Sequence, residues 1–453
     1  MTTIDRARLR TLLDTERATF AHTHSRSRQA WNDAAASLLG GVPMTWMLKA
    51  AGGFPLFLDD ARGARIRDLD GTEYVDFCLG DTGAMAGHSP APVVAAVHRR
   101  LAELGGATAM LPTEDAAWVG AELTRRFGVE RWSFALSATD ANRWVLRMAR
   151  HVTRRPKVLV FSWCYHGSVD ETFIVLDTDG RPRSRAGNVG APVDPVATTR
   201  VVEFNDLVAL ERELANEDVA CVLMEPALTN IGIVLPEPGF LDGVRALTRA
   251  RGTLLVNDET HTLSAGWGGA TRAWNLQPDV VTIGKAIGGG VPIGAYGLSA
   301  ELADRLLADR DADLVDTGGV GGTLAGNALS LAAARATLAD VLTESAFADM
   351  TARAQRFAAG VEDAIARHGL PWSVTRLGAR TEYRFTSPAP RNGGESAAAA
   401  DADLDDFLHT WMANRGVLMT PFHNMALMCP ATSDADVDLH TALFGDALTE
   451  LVG

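Results

Sequence analysis

Thr253-Leu254-Leu255-Val256-Asn257-Asp258 and Asp279-Val280-Val281-Thr282-Ile283-Gly284-Lys285 decide how this chain is read. Each is a short apolar run, too short for a helix, that ends on one charged group: a carboxylate at Asp258 and an amine at Lys285. Working outward, Val158 to Phe161, Val201 to Glu203, Val219 to Met224 and Gly294 to Leu298 repeat the strand-like pattern. Helical stretches near Leu207 to Leu214 and Phe240 to Ala250 fall between them. Such alternation predicts a mainly parallel sheet covered on both faces. The polar residues Ser162 to His166, Glu225, Asp258 and Lys285 all follow strand ends. Open α/β sheets bind ligands outside the carboxyl ends of their strands, so these groups are expected to share one crevice.

A buried-strand lysine and a buried-strand aspartate are what pyridoxal 5'-phosphate (PLP) requires. The lysine amine holds the cofactor aldehyde as a Schiff base, and the acid keeps the pyridine nitrogen protonated. Taken alone, Lys285 also reads as a surface lysine beside Gly288-Gly289-Gly290, and Glu259 as a helix cap or salt-bridge partner. For the phosphate, Ser137-Ala138-Thr139-Asp140 opens a helix running to Arg150, where free amides and the helix dipole favour a dianion. Ser or Thr in that position is equally a plain cap. Tyr165-His166-Gly167 offers a ring to stack on the pyridine, with glycine allowing close approach. The cluster Gly318-Gly319-Val320-Gly321-Gly322-Thr323 reads either as a second phosphate contact or as a loop.

Composition removes other classes. The chain has 453 residues, 47% of them hydrophobic, and a net charge of −14 spread along its length. That disfavours nucleic acid as a partner. Cys78, Cys164, Cys221 and Cys429 are far apart, which argues against a disulfide framework or thiolate metal site and for a reducing cytoplasm. The start, Met1-Thr2-Thr3-Ile4-Asp5-Arg6, lacks a signal-peptide core, and no stretch is apolar enough to span a bilayer. GxxxxGK[ST] is missing, as is GxGxxG between strand and helix. His88, His261 and His423 stand isolated in sequence, so no metal centre is expected.

Elsewhere, residues to about Ala36 read as helical, and Asp68-Leu69-Asp70-Gly71-Thr72-Glu73-Tyr74-Val75-Asp76-Phe77 as a hairpin. Val94, Val97, Leu101 and Leu104 share a helical face. A long helix is expected over Asn327 to Leu342, and an exposed loop over Ser387 to Asp403.

In order along the chain, the hairpin with Gly87-His88, Ser137 to Ala141, Tyr165-His166-Gly167, Glu225-Pro226, Asp258-Glu259, Gly284-Lys285, Gly322-Thr323 and Gly326-Asn327 resemble the class III aminotransferases, which are fold type I PLP enzymes. The likeness runs from about residue 40 to the end, through Gly416-Val417-Leu418 and Asp436-Val437-Asp438. Glu225 to Gly232 and Pro236 to Leu241 are similar to the branch with glutamate-1-semialdehyde aminomutase and β-amino acid transaminases. The resemblance implies an α/β fold: a large domain over residues 81–325 with a mainly parallel seven-stranded sheet between helices. A smaller α+β domain would come from both chain ends, residues 1–80 and 326–453.

It also implies a homodimer with active sites at the interface, acting on small amine and carbonyl substrates. Lys285 would be catalytic. Asp258 would contact the ring nitrogen, Tyr165 would stack on the ring, and Ser137, Ala138 and Thr139 would hold the phosphate, with Thr323 reaching from the other subunit. Glu225 and Thr260 complete the implied cofactor contacts. Ala138 replaces a usual Gly, Asp140 a usual Glu, and Thr260 a Val or Ile. Thr45 and Phe422 stand where β-amino acid relatives carry substrate-binding arginines. The expectation is therefore a bulky, rather apolar substrate against Trp46, Trp163 and Phe422, with Arg380 anchoring a donor carboxylate. Arg380 paired within the fold and aromatics belonging to the core are the alternatives. Amino transfer between separate donor and acceptor is expected. An aminomutase, or a silent PLP-fold binding protein, is the alternative.

Overall fold

A computed structural model describes residues 3–309, 313–315 and 317–453. The chain divides into two compact units: the described parts of Met1–Pro90, Ala348–Ala389 and Ala399–Gly453 form one, and those of Ala91–Phe347 and Pro390–Ala398 the other.

The second unit is built on seven strands: β1 (Arg131–Ala135), β2 (Lys157–Phe161), β3 (Thr199–Val202), β4 (Val219–Met224), β5 (Leu254–Asp258), β6 (Val280–Ile283) and β7 (Gly294–Leu298). Their order is β1-β7-β6-β5-β4-β2-β3. All neighbours are parallel except β7, which is antiparallel to β6 and β1. Every residue of β4 is buried, as an apolar run in the middle of a two-sided layer must be. Register places the strand ends together. Asn257 pairs with Met224 and Asp258 with Thr282, so Glu225, Asp258 and the start of the Lys285 turn lie at one carboxyl edge.

Helix α1 (Ala138–Thr153) begins beside that edge because Ser137 caps it, its hydroxyl accepting from Asp140 N at 3.2 Å. Its buried stripe, Ala141, Val145, Leu146, Met148 and Ala149, carries one polar member, Asn142. Packing excludes side chains at two places. A Cβ on Gly284 would lie 2.9 Å from Ala138 N, and one on Gly167 2.0 Å from the Thr139 hydroxyl.

In the first unit, Arg65–Asp68 and Glu73–Asp76 form the expected hairpin, Gly71 adopting φ +89° at its turn. Val417–Leu418 adds to it in parallel. A separate antiparallel sheet holds Ser373–Leu377, Arg380–Arg384 and Met425–Leu427. Helices Arg6–Thr23 and Ser25–Ala34 account for the helical opening.

Two expectations need correction. Ser387 to Asp403 is not one exposed loop: it contains the helix Gly393–Ala398, with Gly393 and Ser396 buried. Asn392 caps that helix by accepting from Glu395 N at 2.8 Å, and the Ser396 hydroxyl donates to the Ile231 carbonyl. Local capping and tertiary bonds thus override a Pro/Gly-rich composition. The helix from Asn327 is α-helical only over Ala328–Ala336 and continues as a π-helix over Thr337–Val341.

Candidate active site

Asp258 is buried and holds three donors. Asn142 Nδ2 donates to its Oδ2 at 2.8 Å, His166 Nδ1 lies 2.9 Å from the same oxygen, and Thr260 N donates to Oδ1 at 3.1 Å. Burial opposes ionisation, but the bond and charge of His166 with those of Thr260 and Asn142 win, and the carboxyl sits below its ordinary value. For His166, burial opposes protonation, and the Cys164 sulfur and the Asp258 carboxylate outweigh it, so the imidazole is held well above 6.5.

Asn142 is the keystone of this arrangement. Its Nδ2 also donates to the His166 carbonyl at 3.1 Å, and its Oδ1 accepts from the Thr282 hydroxyl at 2.7 Å. One side chain on α1 therefore ties together the ends of β5 and β6 and the Tyr165 loop. Glu259, also buried, turns the other way: it accepts from Thr271 N at 2.5 Å, Ala270 N at 3.0 Å and the Thr262 hydroxyl at 2.6 Å. Burial raises its pKa against those bonds. Glu259 is thus a structural clamp on the segment after β5.

Lys285 follows Gly284 with φ +48°, a left-handed conformation uncommon for a side-chain-bearing residue and costly to hold. Its Nζ lies 2.8 Å from His261 Nε2. Tyr165 is 38% exposed, and its backbone N donates to Glu225 Oε1 at 3.1 Å. Glu225 is otherwise satisfied by Thr229, and burial raises its pKa. Ser168 N donates to the Thr139 hydroxyl at 3.2 Å, joining the Tyr165 loop to the first turn of α1. There the amides of Ala138 and Thr139 precede the first intrahelical bond, from Ala141 N to Ser137 O.

The structure thus gathers Lys285, Asp258, Tyr165, Ser137, Ala138, Thr139, Glu225 and Thr260 in one unit by chains of contact. Thr323 is exposed and lines a cleft of about 720 Å³ with Met110, Leu111 and Asn327, a lining that includes none of those residues. Trp163, at φ +67°, lies under the Arg185 guanidinium, 5.1 Å from its ring centroid. In the other unit Trp46 meets Phe422 edge-to-face at 6.2 Å, and Arg380 is fully buried and donates to the Thr82 hydroxyl.

Sequence reasoning missed three residues. Asn142 carried a signal, being the lone amide on the buried stripe of an amphipathic helix. His166 was inside a quoted motif without a role. His261 was given no role, and the structure places it 2.8 Å from Lys285 Nζ; His88 lies 2.7 Å from Asp76 and His423 lies 3.5 Å from Glu382. Among the described residues no group of three or more His, Cys, Asp or Glu side chains could hold a metal ion. No helix among them is long and apolar enough to cross a membrane.

PLP fits these residues. The amine, the buried ionised carboxylate and the first-turn amides are complementary to its aldehyde, pyridinium and phosphate, and the glycines at 167 and 284 keep the cradle open where a Cβ would intrude. This sheet and donor set define a fold type I PLP enzyme. The chain belongs to the class III aminotransferases: it matches Aminotransferase class-III over residues 47–448. It is 32% identical over 435 residues to a glutamate-1-semialdehyde 2,1-aminomutase of Desulfitobacterium hafniense, covering 94% of this chain and 98% of the relative. Among solved structures, a glutamate-1-semialdehyde aminomutase from Pseudomonas aeruginosa PAO1 in complex with PMP is similar at 49% identity and TM-score 0.96, with 99% of both chains covered. An ω-transaminase from Sphaerobacter thermophilus is 29% identical at TM-score 0.85, covering 94% of this chain and 98% of that one.

Proposed function

We propose that the chain is a transaminase that moves an amino group from an amine or amino acid donor to a separate carbonyl acceptor, in two half-reactions. The observation that carries the catalytic part is the buried Asp258 carboxylate, ionised and fixed by Asn142 and His166 at the same sheet edge as Lys285. Bound PLP supplies an electron sink for the bond-breaking at the substrate carbon. Asp258 holds the proton on the ring nitrogen. Lys285 would hold the aldehyde carbon, and its amine would carry a proton to and from the substrate. Ala138 and Thr139 amides with the Ser137 and Thr139 hydroxyls would hold the phosphate, and Tyr165 would stack on the ring.

Within this unit Trp163, stacked under Arg185, is the aromatic side chain that would favour a bulky apolar group. A homodimer is part of the same reading. Leu101, Leu104, Met110, Leu111, Val315 and Leu324 are all large apolar side chains exposed on one unit, a set that a second copy would cover. Thr323 would then serve the neighbouring copy's phosphate group. A monomeric, fully active protein in sedimentation experiments would remove the dimer from the proposal.

The names of the relatives favour a second reading, an aminomutase that rearranges one substrate without releasing it. Incubating the PLP-loaded enzyme with donor alone separates the two. A transaminase releases stoichiometric keto product, whereas an aminomutase releases none. Borohydride reduction followed by peptide mapping tests the common ground, and label anywhere but Lys285 overturns both.

A further inference from the structure

We propose that His261 is a second catalytic residue, exchanging a proton directly with the Lys285 amine. This inference rests on the PLP reading above. Nε2 of His261 stands 2.8 Å from Lys285 Nζ, and two nitrogens at that distance share one hydrogen. A lysine amine is protonated when free, so Nζ donates and Nε2 accepts, which requires the Nδ1–H tautomer of a neutral imidazole.

The imidazole is held in place by backbone rather than by chance. Glu259 N donates to Thr282 O at 2.8 Å, Leu263 N to Glu259 O at 2.9 Å and Ser264 N to His261 O at 3.2 Å, so the segment from β5 through Thr262–Ala265 is pinned to β6. The Glu259 clamp on Ala270 and Thr271 fixes its far side. His261 itself is 7% exposed. The charged groups around it are otherwise engaged. Asp258 holds His166, Asn142 and Thr260 N, and Glu259 holds its three donors. Arg272, on the short helix Gly269–Ala273 packed against this segment, stacks on Trp267 and donates to the Arg125 carbonyl.

The chemistry follows from that pairing. A lysine amine must be neutral to take a proton from a substrate carbon, and it leaves that step as an ammonium. Transfer of one proton from Nζ to Nε2 restores the amine and makes an imidazolium, and the reverse transfer recharges the lysine. No electrons move and no other reactant is needed. Replacing the imidazole removes the acceptor that Nζ faces at 2.8 Å.

The test uses the PLP-loaded enzyme and its His261→Ala and His261→Gln variants. Absorbance of the bound cofactor is titrated with pH, which reports protonation of the Lys285 nitrogen. His261→Ala is expected to lower the midpoint by about one pH unit, a tenfold change in the ionisation constant. His261→Gln offers an amide oxygen as acceptor but no exchangeable proton. It is expected to restore the midpoint while the donor half-reaction stays slow and its rate–pH profile lacks the limb present in the parent. An unmoved midpoint in the alanine variant overturns the proposal, as does a glutamine variant that recovers the full rate. Borohydride labelling of Lys285 is checked in each protein: no label in the parent sinks the cofactor reading, while a label with an unmoved midpoint sinks only the role of His261.

Discussion

Replacing Asp258 with Asn tests the centre of the site without changing its shape. The parent carboxylate accepts three bonds, two at Oδ2 and one at Oδ1. An asparagine can present its oxygen to Asn142 and His166 or to Thr260 N, and in either orientation its own NH2 faces a buried donor. One stranded donor costs about 1–3 kcal/mol. Removing one partner of a buried ion pair costs about 3–5 kcal/mol, less here because His166 escapes part of it by losing its proton. The expected destabilisation of the cofactor-free protein at neutral pH is about 3 kcal/mol, read as a lower urea midpoint. His166 is raised above 6.5, so its contribution is complete below that pH and is lost as pH climbs through the folded value. Asp258 is lowered from 3.8, so its contribution is present above 3.8 and is lost as pH falls through the folded value. The gap between parent and variant is therefore widest between those pH limits and narrows on the alkaline side. Equal stability across that range, or a gap that widens with alkali, would refute the ion pair.

Gly167→Ala combines a φ of +79° with a Cβ 2.0 Å from the Thr139 hydroxyl, so the Tyr165 loop must move from the first turn of α1. PLP affinity, followed by fluorescence titration, is expected to fall at least about tenfold, a loss of roughly 1.4 kcal/mol. Gly71→Ala meets no atom within 4 Å at φ +89°, so about 1–2 kcal/mol of backbone strain is the whole cost, and half-reaction rates should not change. Glu259→Gln turns one acceptor of the clamp into a donor facing a backbone amide or the Thr262 hydroxyl; stability should drop by about 1–3 kcal/mol in urea titration with the Lys285 label retained. Arg380→Met removes a donor to the buried Thr82 hydroxyl, so stability should fall by about 1–3 kcal/mol, read as a lower urea midpoint.

Strand-ending charges are legible in a sequence because an apolar run too short for a helix leaves few places for the residue that follows it. Asp258, Lys285 and Glu225 were placed at or just after strand ends that way, and the parallel sheet came from the same alternation. The helix Gly393–Ala398 was hidden because its stability comes from Ile231 and from its own cap, neither of which alters composition.

The amino acid order by itself determined the layered sheet, the placement of Asp258 and Lys285 at strand ends and through them the cofactor, since burial of short apolar runs depends on local pattern. Tertiary structure alone decided what each charged group touches. That His166 and Asn142 keep Asp258 ionised, that Glu259 clamps rather than reacts, and that His261 meets Lys285 all depend on register between β5, β6 and α1. Distances of about 3 Å between residues far apart in sequence leave no periodicity for a sequence reader to find.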